Sequence, residues 1–225
     1  MNSMNIQFEI TEDGSHTFFV PELNEHYHST HGAIQESMHV YIDAGLSYCL
    51  KSEVRLLEIG FGTGLNAFLT LCEAEERCRV VDYTSIELYP VAADDAGKLN
   101  YAGLIDPSRQ ALFNKLHTTE WEIRSQVTQN FSLLKIRLDF SNPSLFYPEN
   151  SFDLIFFDAF APDKQPEMWT WQVFDRLYAV SAEGGVLTTY CAKGSVRRML
   201  ADAGFVVERL PGPPGKREML RAVRK

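Results

Sequence analysis

Three glycines, Gly60, Gly62 and Gly64, stand at two-residue spacing in LLEIGFGTGLNAF, between an apolar run and a stretch with helical periodicity. Glycine at such a junction lets the chain turn tightly and approach a ligand with no Cβ in the way, and the N–H groups that open a helix are there to receive it. The spacing is GxGxG rather than the GxGxxG of dinucleotide sites, and Glu58 stands just before it. A carboxylate there repels a pyrophosphate and favours the ammonium of a methionine moiety, directly or through water. That points to S-adenosyl-L-methionine rather than a nicotinamide cofactor; the competing reading is a tight turn that binds nothing. Glu87 ends the next apolar run, RVVDYTSIE, about twenty residues after the glycines, where an acidic residue accepts hydrogen bonds from ribose hydroxyls. Asp139, ending LLKIRLD, falls at the same rim and suits an adenine amino group. For both, an ordinary strand-end charge is the alternative.

A second constellation is FDLIFFDAFAPDKQPEMW, an apolar run that ends in Asp158 and continues Ala159-Phe160-Ala161-Pro162. A carboxylate among backbone carbonyls accepts hydrogen bonds from an amine and aims its lone pair at an electrophilic methyl. It can also remove a proton, since an ammonium has no lone pair to give. Asp158 is therefore the catalytic candidate, against the plainer reading of an Asp that caps whatever follows. The arrangement resembles the Asp-Pro-Pro-aromatic motif of amino-methyltransferases.

These residues need a scaffold that brings strand ends to one edge. From Val54 onward, short apolar runs alternate with helical stretches (VRLLEI, 64–76, RVVDYTSIE, 90–101, 106–117), which favours a parallel sheet covered by helices on both faces. Further strands are expected near 121–127, 132–138, 153–158, 185–190, 205–210 and 218–223. Only LPGPPGKRE separates the last two, too little for a helical crossover, so the final strand must run antiparallel. The fold class is α/β, Rossmann-like, with a mostly parallel seven-stranded sheet. Ahead of it, IQFEI and HTFFV flank Asp13-Gly14 as a β-hairpin. A helix is expected over 31–50, with Ile34, Met38, Tyr41, Ile42 and Leu46 on one face. The chain divides into an annex, 1–30, and a body, 31–225, within one domain.

The length and a 45% hydrophobic content suit one α/β core. No charged start leads into an apolar run and no stretch is long and apolar enough to cross a bilayer, so a cytoplasmic location is expected. Cys49, Cys72, Cys78 and Cys191 lack CxxC pairing, and His26, His28 and His31 lack a carboxylate at helical ligand spacing, so no disulfide framework and no metal site are expected. The histidine loop reads instead as surface or substrate lining. A net charge of −9 opposes nonspecific nucleic-acid binding, yet residues 190–225 carry +6 and the remainder −15. That asymmetry is either a face for a polyanion or charge scattered over solvated surfaces.

EIGFGTGLNAF, IELYP, FFDAFAPDKQPEMW and GGVLTTYCAKGSVRRMLADAGFVVERLPGPPGKREML, in that order, resemble the methyltransferase domain of the MnmC family over about residues 26 to 223. The resemblance implies methyl transfer from S-adenosyl-L-methionine to the amine of 5-aminomethyl-2-thiouridine at the tRNA wobble position. It assigns Gly60, Gly62, Gly64 and Glu87 to the cofactor, Asp158 to catalysis, and Met168 and Trp169 to the substrate wall, where Trp169 either stacks on the base or packs on the core. It sets Lys193, Arg197, Arg198, Lys216 and Arg217 against the anticodon loop. Many family members carry a second, flavin-dependent half; a chain ending at Lys225 implies a standalone form supplied with its aminomethyl substrate by a separate enzyme. The alternatives are a methyltransferase for a small amine or protein, aminopropyl transfer of the spermidine-synthase kind, and a noncatalytic cofactor-binding protein that acts through a partner.

Overall fold

The computed structural model describes residues 5–142 and 147–225. Asp13-Gly14 forms the expected turn, with Gly14 at φ 82, and β1 (Gln7–Ile10) pairs antiparallel with β2 (His16–Val20). A two-residue strand, β3 (Glu25–His26), adds to β2, so the hairpin becomes a three-stranded sheet. It is fastened to the body by side chains: Asn100 Oδ1 accepts the His16 N–H at 3.0 Å, and the Tyr101 hydroxyl donates to the His16 carbonyl at 2.8 Å.

The helix expected over 31–50 changes character within itself. After α1 (Ala33–Ser37), residues Met38–Leu46 form a π-helix, and the Ser47 N–H reaches back five residues to the Ile42 carbonyl at 2.8 Å. The wider turn buries Val40, Tyr41, Ile42, Gly45 and Leu46 together, and Gly45 lies so close to Phe156 and Thr188 that an added Cβ would press on both. Such insertions into helices often sit at functional sites.

The body then alternates: β4 (Glu53–Ile59), α2 (Leu65–Glu76), β5 (Val80–Glu87), α3 (Ala93–Ala96), α4 (Tyr101–Ile105), α5 (Gln110–Thr118), β6 (Ser125–Gln126), β7 (Phe131–Arg137), β8 (Phe152–Phe157), α6 (Trp171–Val180), β9 (Ser181–Thr189), α7 (Gly194–Asp202), β10 (Val206–Pro211) and β11 (Glu218–Val223). The strand order is β10-β11-β9-β8-β4-β5-β7-β6. Strands β7, β5, β4, β8 and β9 are parallel, and β11 runs antiparallel between β9 and β10, as the short LPGPPGKRE connection requires. All eight expected runs thus join one sheet, one strand more than the seven of the expected fold class, and the eighth is a two-residue edge. The run at 121–127 shrinks to β6 because Glu122 adopts φ 65 and breaks the strand just after Trp121 bridges Lys135. The expected helix at 90–101 is likewise interrupted after Ala96 and restarts at Tyr101.

Both sheet faces are packed. Phe68 and Leu71 of α2, Phe113 and Leu116 of α5 and Tyr41 cover one; Phe174 and Leu177 of α6 with Val196 and Leu200 of α7 cover the other. Each such side chain contributes about 1.5–3 kcal/mol by leaving water. Double coverage explains why β8, FDLIFF, is buried along its whole length.

Candidate active site

The chain leaves β4 for β5 on one side and later returns to β8 on the other, so the sheet's switch point lies between β4 and β8. Open α/β sheets bind ligands in the crevice at the carboxyl ends of such strands. There a cavity of about 750 Å³ opens, lined by Gly60, Phe61, Gly62, Glu87, Asp139, Phe140, Asp158, Phe160, Met168 and Tyr190 from the body and by Tyr27 and His28 from the annex. The annex is therefore a wall of the site.

Gly60 has φ +94, and a Cβ there would stand 2.5 Å from the Asp158 carbonyl oxygen, so glycine is required for β4 and β8 to close on each other. Gly62, at φ +50, donates its N–H to Glu87 Oε2 at 3.0 Å. Oε1 of the same carboxylate accepts the Tyr89 N–H at 2.8 Å. Burial pushes the Glu87 carboxyl up, against the pull of these backbone donors. Each oxygen keeps lone pairs for further donors, and the carboxylate is held rigidly at the rim. Asp139 also lines the cavity, its Oδ1 capping the next turn through Ser141 N–H at 2.9 Å and Ser141 Oγ at 2.6 Å.

Asp158 follows β8, its N–H donating to the Ile59 carbonyl at 3.0 Å. Asn66 Nδ2 donates to its Oδ2 at 2.8 Å. Burial, with Glu36 adding to it, raises the carboxyl to about 7, while hydrogen bonds from Tyr41 and Asn66 and the charge of Lys216 pull the other way. A carboxyl near 7 takes up and gives back a proton at neutral pH.

Four of the expected site residues take placements that the sequence did not specify. Glu58 is fully buried on β4, accepts the Ser85 hydroxyl at 2.7 Å and lies outside the lining, so it does not face a ligand directly. Gly64 precedes α2, backed by His117, and stays outside the lining as well. Trp169 is 5% exposed, packs edge-on against Phe157 and Tyr190, and donates Nε1–H to the Phe160 carbonyl at 2.7 Å. It braces the loop after Asp158 and has no face for a base, whereas Met168 does line the cavity. Lys216, half-buried, lines the cavity, pairs with buried Glu36 and stands 4.0 Å from the Tyr190 ring centroid.

Of the other cations, Lys193 pairs with Asp163 at 2.6 Å on the surface, and Arg198 and Arg217 are exposed while Arg197 is half-buried. Arg224 is spent on the carbonyls of Tyr178, Ala179 and Ser181, and Arg221 on Glu208. Much of the C-terminal positive charge thus serves the fold.

Sequence reading missed Asn66, Tyr41, Glu36, Tyr27 and Tyr190. Asn66 lay inside the glycine motif as an unremarked helix residue, Tyr41 read only as part of an apolar helix face, and the others carry no local pattern. His28 is the member of the histidine loop that turns inward, bonded through Nε2 to Thr63 Oγ1 at 2.6 Å and lowered to about 4 by burial, hence neutral.

Residues 108–225 match a family described as S-adenosyl-L-methionine-dependent methyltransferase. The chain belongs to this family. It is also similar to the tRNA 5-methylaminomethyl-2-thiouridine biosynthesis bifunctional protein MnmC of Cupriavidus metallidurans, with 33% identity over 93% of this chain and 32% of that protein. The protein of that name from Leptospira interrogans is 30% identical over 88% of this chain and 32% of its own length. The chain thus spans about a third of the length of these relatives. Among solved structures, MnmC2 of Aquifex aeolicus superimposes with a TM-score of 0.76 at 25% identity, over 98% of this chain and 71% of that one. The spermidine synthase of Thermotoga maritima shares the fold alone, with a TM-score of 0.54 at 12% identity.

The protein is an S-adenosyl-L-methionine-dependent methyltransferase, and its residues fit that cofactor. Gly60 and Gly62 line the cavity with backbone alone, Glu87 is fixed at the rim, and Phe140 with Asp139 forms the adjoining wall. Glu87 would hold ribose hydroxyls, Asp139 the adenine amino group, and the Gly60–Gly62 backbone the methionine portion. When bound, S-adenosyl-L-methionine supplies a sulfonium-activated methyl group.

Proposed function

We propose that this methyltransferase modifies the primary amine of 5-aminomethyl-2-thiouridine at the wobble position of tRNA. The observation that carries the reading is Asp158: a cavity-lining carboxyl raised to about 7 and oriented by an amide donor. Asp158 accepts the amine's proton, so that a lone pair is available on nitrogen, and then holds the remaining N–H by hydrogen bonding. Phe160, Met168 and Tyr190 give the base an apolar and aromatic surround, and neutral His28 closes the annex side. The names of the bifunctional relatives, which refer to 5-methylaminomethyl-2-thiouridine in tRNA, support the same substrate. The anticodon loop would meet the protein along exposed Arg198, Arg217 and the exchangeable Lys193, while the base alone enters the cavity. The aminomethyl group would come from a separate catalytic centre, and the reaction would take place in the cytoplasm, where tRNA is modified.

One observation favours a second substrate class. The lining includes Glu22, Glu25, Glu36, Glu87, Asp139, Asp158 and Glu167 against Lys164 and Lys216, a surface that also suits a small cationic amine. Transfer of labelled methyl from S-adenosyl-L-methionine to tRNA from cells lacking the final methylation, followed by nucleoside analysis, separates the two. Label is expected in 5-methylaminomethyl-2-thiouridine. An enzyme that binds the cofactor and labels small amines but leaves this tRNA untouched would overturn the tRNA reading.

A further inference from the structure

Beneath the cavity floor lies a buried polar chain that the reaction as described does not use. Asn66, 3% exposed in the first turn of α2, donates Nδ2–H to Asp158 Oδ2 at 2.8 Å. Its Oδ1 is buried without a hydrogen-bond donor among the described residues, and so is Glu58 Oε1. Glu58 is the next group in the chain: Ser85 Oγ donates to its Oε2 at 2.7 Å, and the Asn66 amide and the buried Tyr83 hydroxyl stand beside it as further donors. Burial lifts the Glu58 carboxyl to about 8 against these donors. The shortest bond the Asn66 amide makes is the one to Asp158, which a buried amide gives up only at a cost. From the other side the buried Tyr41 hydroxyl, carried on the π-helical segment, reaches the Asp158 carboxylate and, at 3.5 Å, the Phe157 carbonyl.

We propose that Asn66 and Tyr41 are positioning residues that favour the ionised form of Asp158 and fix its carboxylate plane toward the incoming amine. Neither Asn66 nor Tyr41 lines the cavity, so neither touches substrate; both act through Asp158. The inference rests on the reading of Asp158 as the amine's acceptor. Around Asp158 the charged and titratable groups are Glu36 from α1, Tyr41 from the π-helix, Tyr190 after β9 and Lys216 from the β10–β11 loop, with Glu58 of β4 and Tyr83 of β5 farther off. Glu36 and Lys216 have opposite effects on Asp158 and neutralise each other as a pair, which leaves the two neutral donors as the groups that favour the carboxylate.

The test is the ionisation of Asp158 followed by infrared difference spectroscopy of the holoenzyme across pH, with Asp158→Asn as the blank, alongside the pH profile of kcat/KM for tRNA methylation. Asn66→Leu is expected to move the Asp158 midpoint upward by about one pH unit, the tenfold change that one hydrogen bond to a charged group corresponds to. The acid limb of kcat/KM should follow, with the KM for S-adenosyl-L-methionine within about twofold of wild type. Tyr41→Phe, which removes one hydroxyl and keeps the packing, should move both in the same direction by less, and it carries the test if Asn66→Leu does not fold. An unmoved midpoint in the folded variants would overturn the inference, whatever their turnover. Turnover surviving in Asp158→Asn would instead overturn the role of Asp158 itself, and the inference with it. The spectroscopic readout needs no tRNA, so a wrong substrate cannot mask either result.

Discussion

Two aspartates flank the same buried strand, five residues apart, and their surroundings assign them opposite roles. Asp153, at the start of β8, receives Lys51 Nζ at 2.6 Å, Arg55 Nη2 at 2.8 Å, and the Arg55 Nε and backbone N–H at 3.0 Å each. Asp158, at the other end, receives an amide and a phenol and, among the described residues, no cation in direct contact. Burial acts on both and is the largest influence on each, yet the carboxyl of Asp153 falls to about 2 and that of Asp158 rises to about 7. What separates them is the charge of the partners. Two cations make Asp153 a permanently ionised fastening between β4 and β8. Neutral donors leave Asp158 balanced between its two protonation states, as proton transfer at neutral pH requires. The amino ends of the parallel strands hold the sheet together, and the carboxyl ends carry the chemistry.

The largest expected break in that comparison is Asp158→Asn. It should lower methyl transfer by more than about a hundredfold, the scale of a lost acid–base group, while S-adenosyl-L-methionine still binds in calorimetry and the Tm holds or rises, since a buried charge is removed. Equal losses of stability and turnover would make Asp158 a structural residue like its counterpart. Asp153→Asn should do the reverse. Lys51 and Arg55 are about half exposed and can turn to water, so the cost to folding is about 1–3 kcal/mol rather than that of stranding buried charges, with turnover at permissive temperature unchanged. The pH dependence has a matching sign. A carboxyl lowered from 3.8 to about 2 contributes stability that is present above pH 3.8 and lost as pH falls through 2. Denaturation curves of wild type and Asp153→Asn should therefore converge below pH 2.

The same contrast decides what could be read from the chain beforehand. The parallel strands, the antiparallel last strand and the hairpin follow from period and spacing, because burial and short connections impose them directly. Asp158, Gly60 and Glu87 were visible because strand ends at a switch point are where such a sheet places ligands. The surroundings of Trp169 and Lys216 were open for one reason: an aromatic ring and a cation look equally suited to RNA and to the interior. Only the packing shows that Trp169 braces the Phe160 carbonyl and that Lys216 neutralises Glu36. The π-helical turn at Met38–Leu46 was hidden because its apolar spacing matches that of an ordinary helix, and the annex wall was hidden because a hairpin's sequence does not say where it docks.

Glu58 is the smallest and sharpest test, because a strand-end carboxylate facing an ammonium and a buried carboxylic acid predict opposite things. If it holds the cofactor as a charge, Glu58→Gln should weaken cofactor binding. As a neutral acid it should tolerate the change, since glutamine keeps its size, its neutrality and an acceptor for the Ser85 hydroxyl, and turnover should stay within about twofold. Stability against pH gives an independent answer. A carboxyl raised from 4.5 to about 8 contributes stability that is full below pH 4.5 and falls away as pH rises through 8. Asp158, raised from 3.8 to about 7, adds a decline that ends near pH 7, and Lys135, lowered from 10.5 to about 8 by burial, begins to matter only above that. Between pH 7 and 8 the slope is therefore that of Glu58, at most about 1.4 kcal/mol per pH unit for one proton. Glu58→Gln should flatten that interval and leave the decline below pH 7 in place, whereas Asp158→Asn should remove the lower part and leave the upper. An unchanged slope in Glu58→Gln would mean that Glu58 is ionised at neutral pH, and that its surroundings offset burial as they do at Asp153.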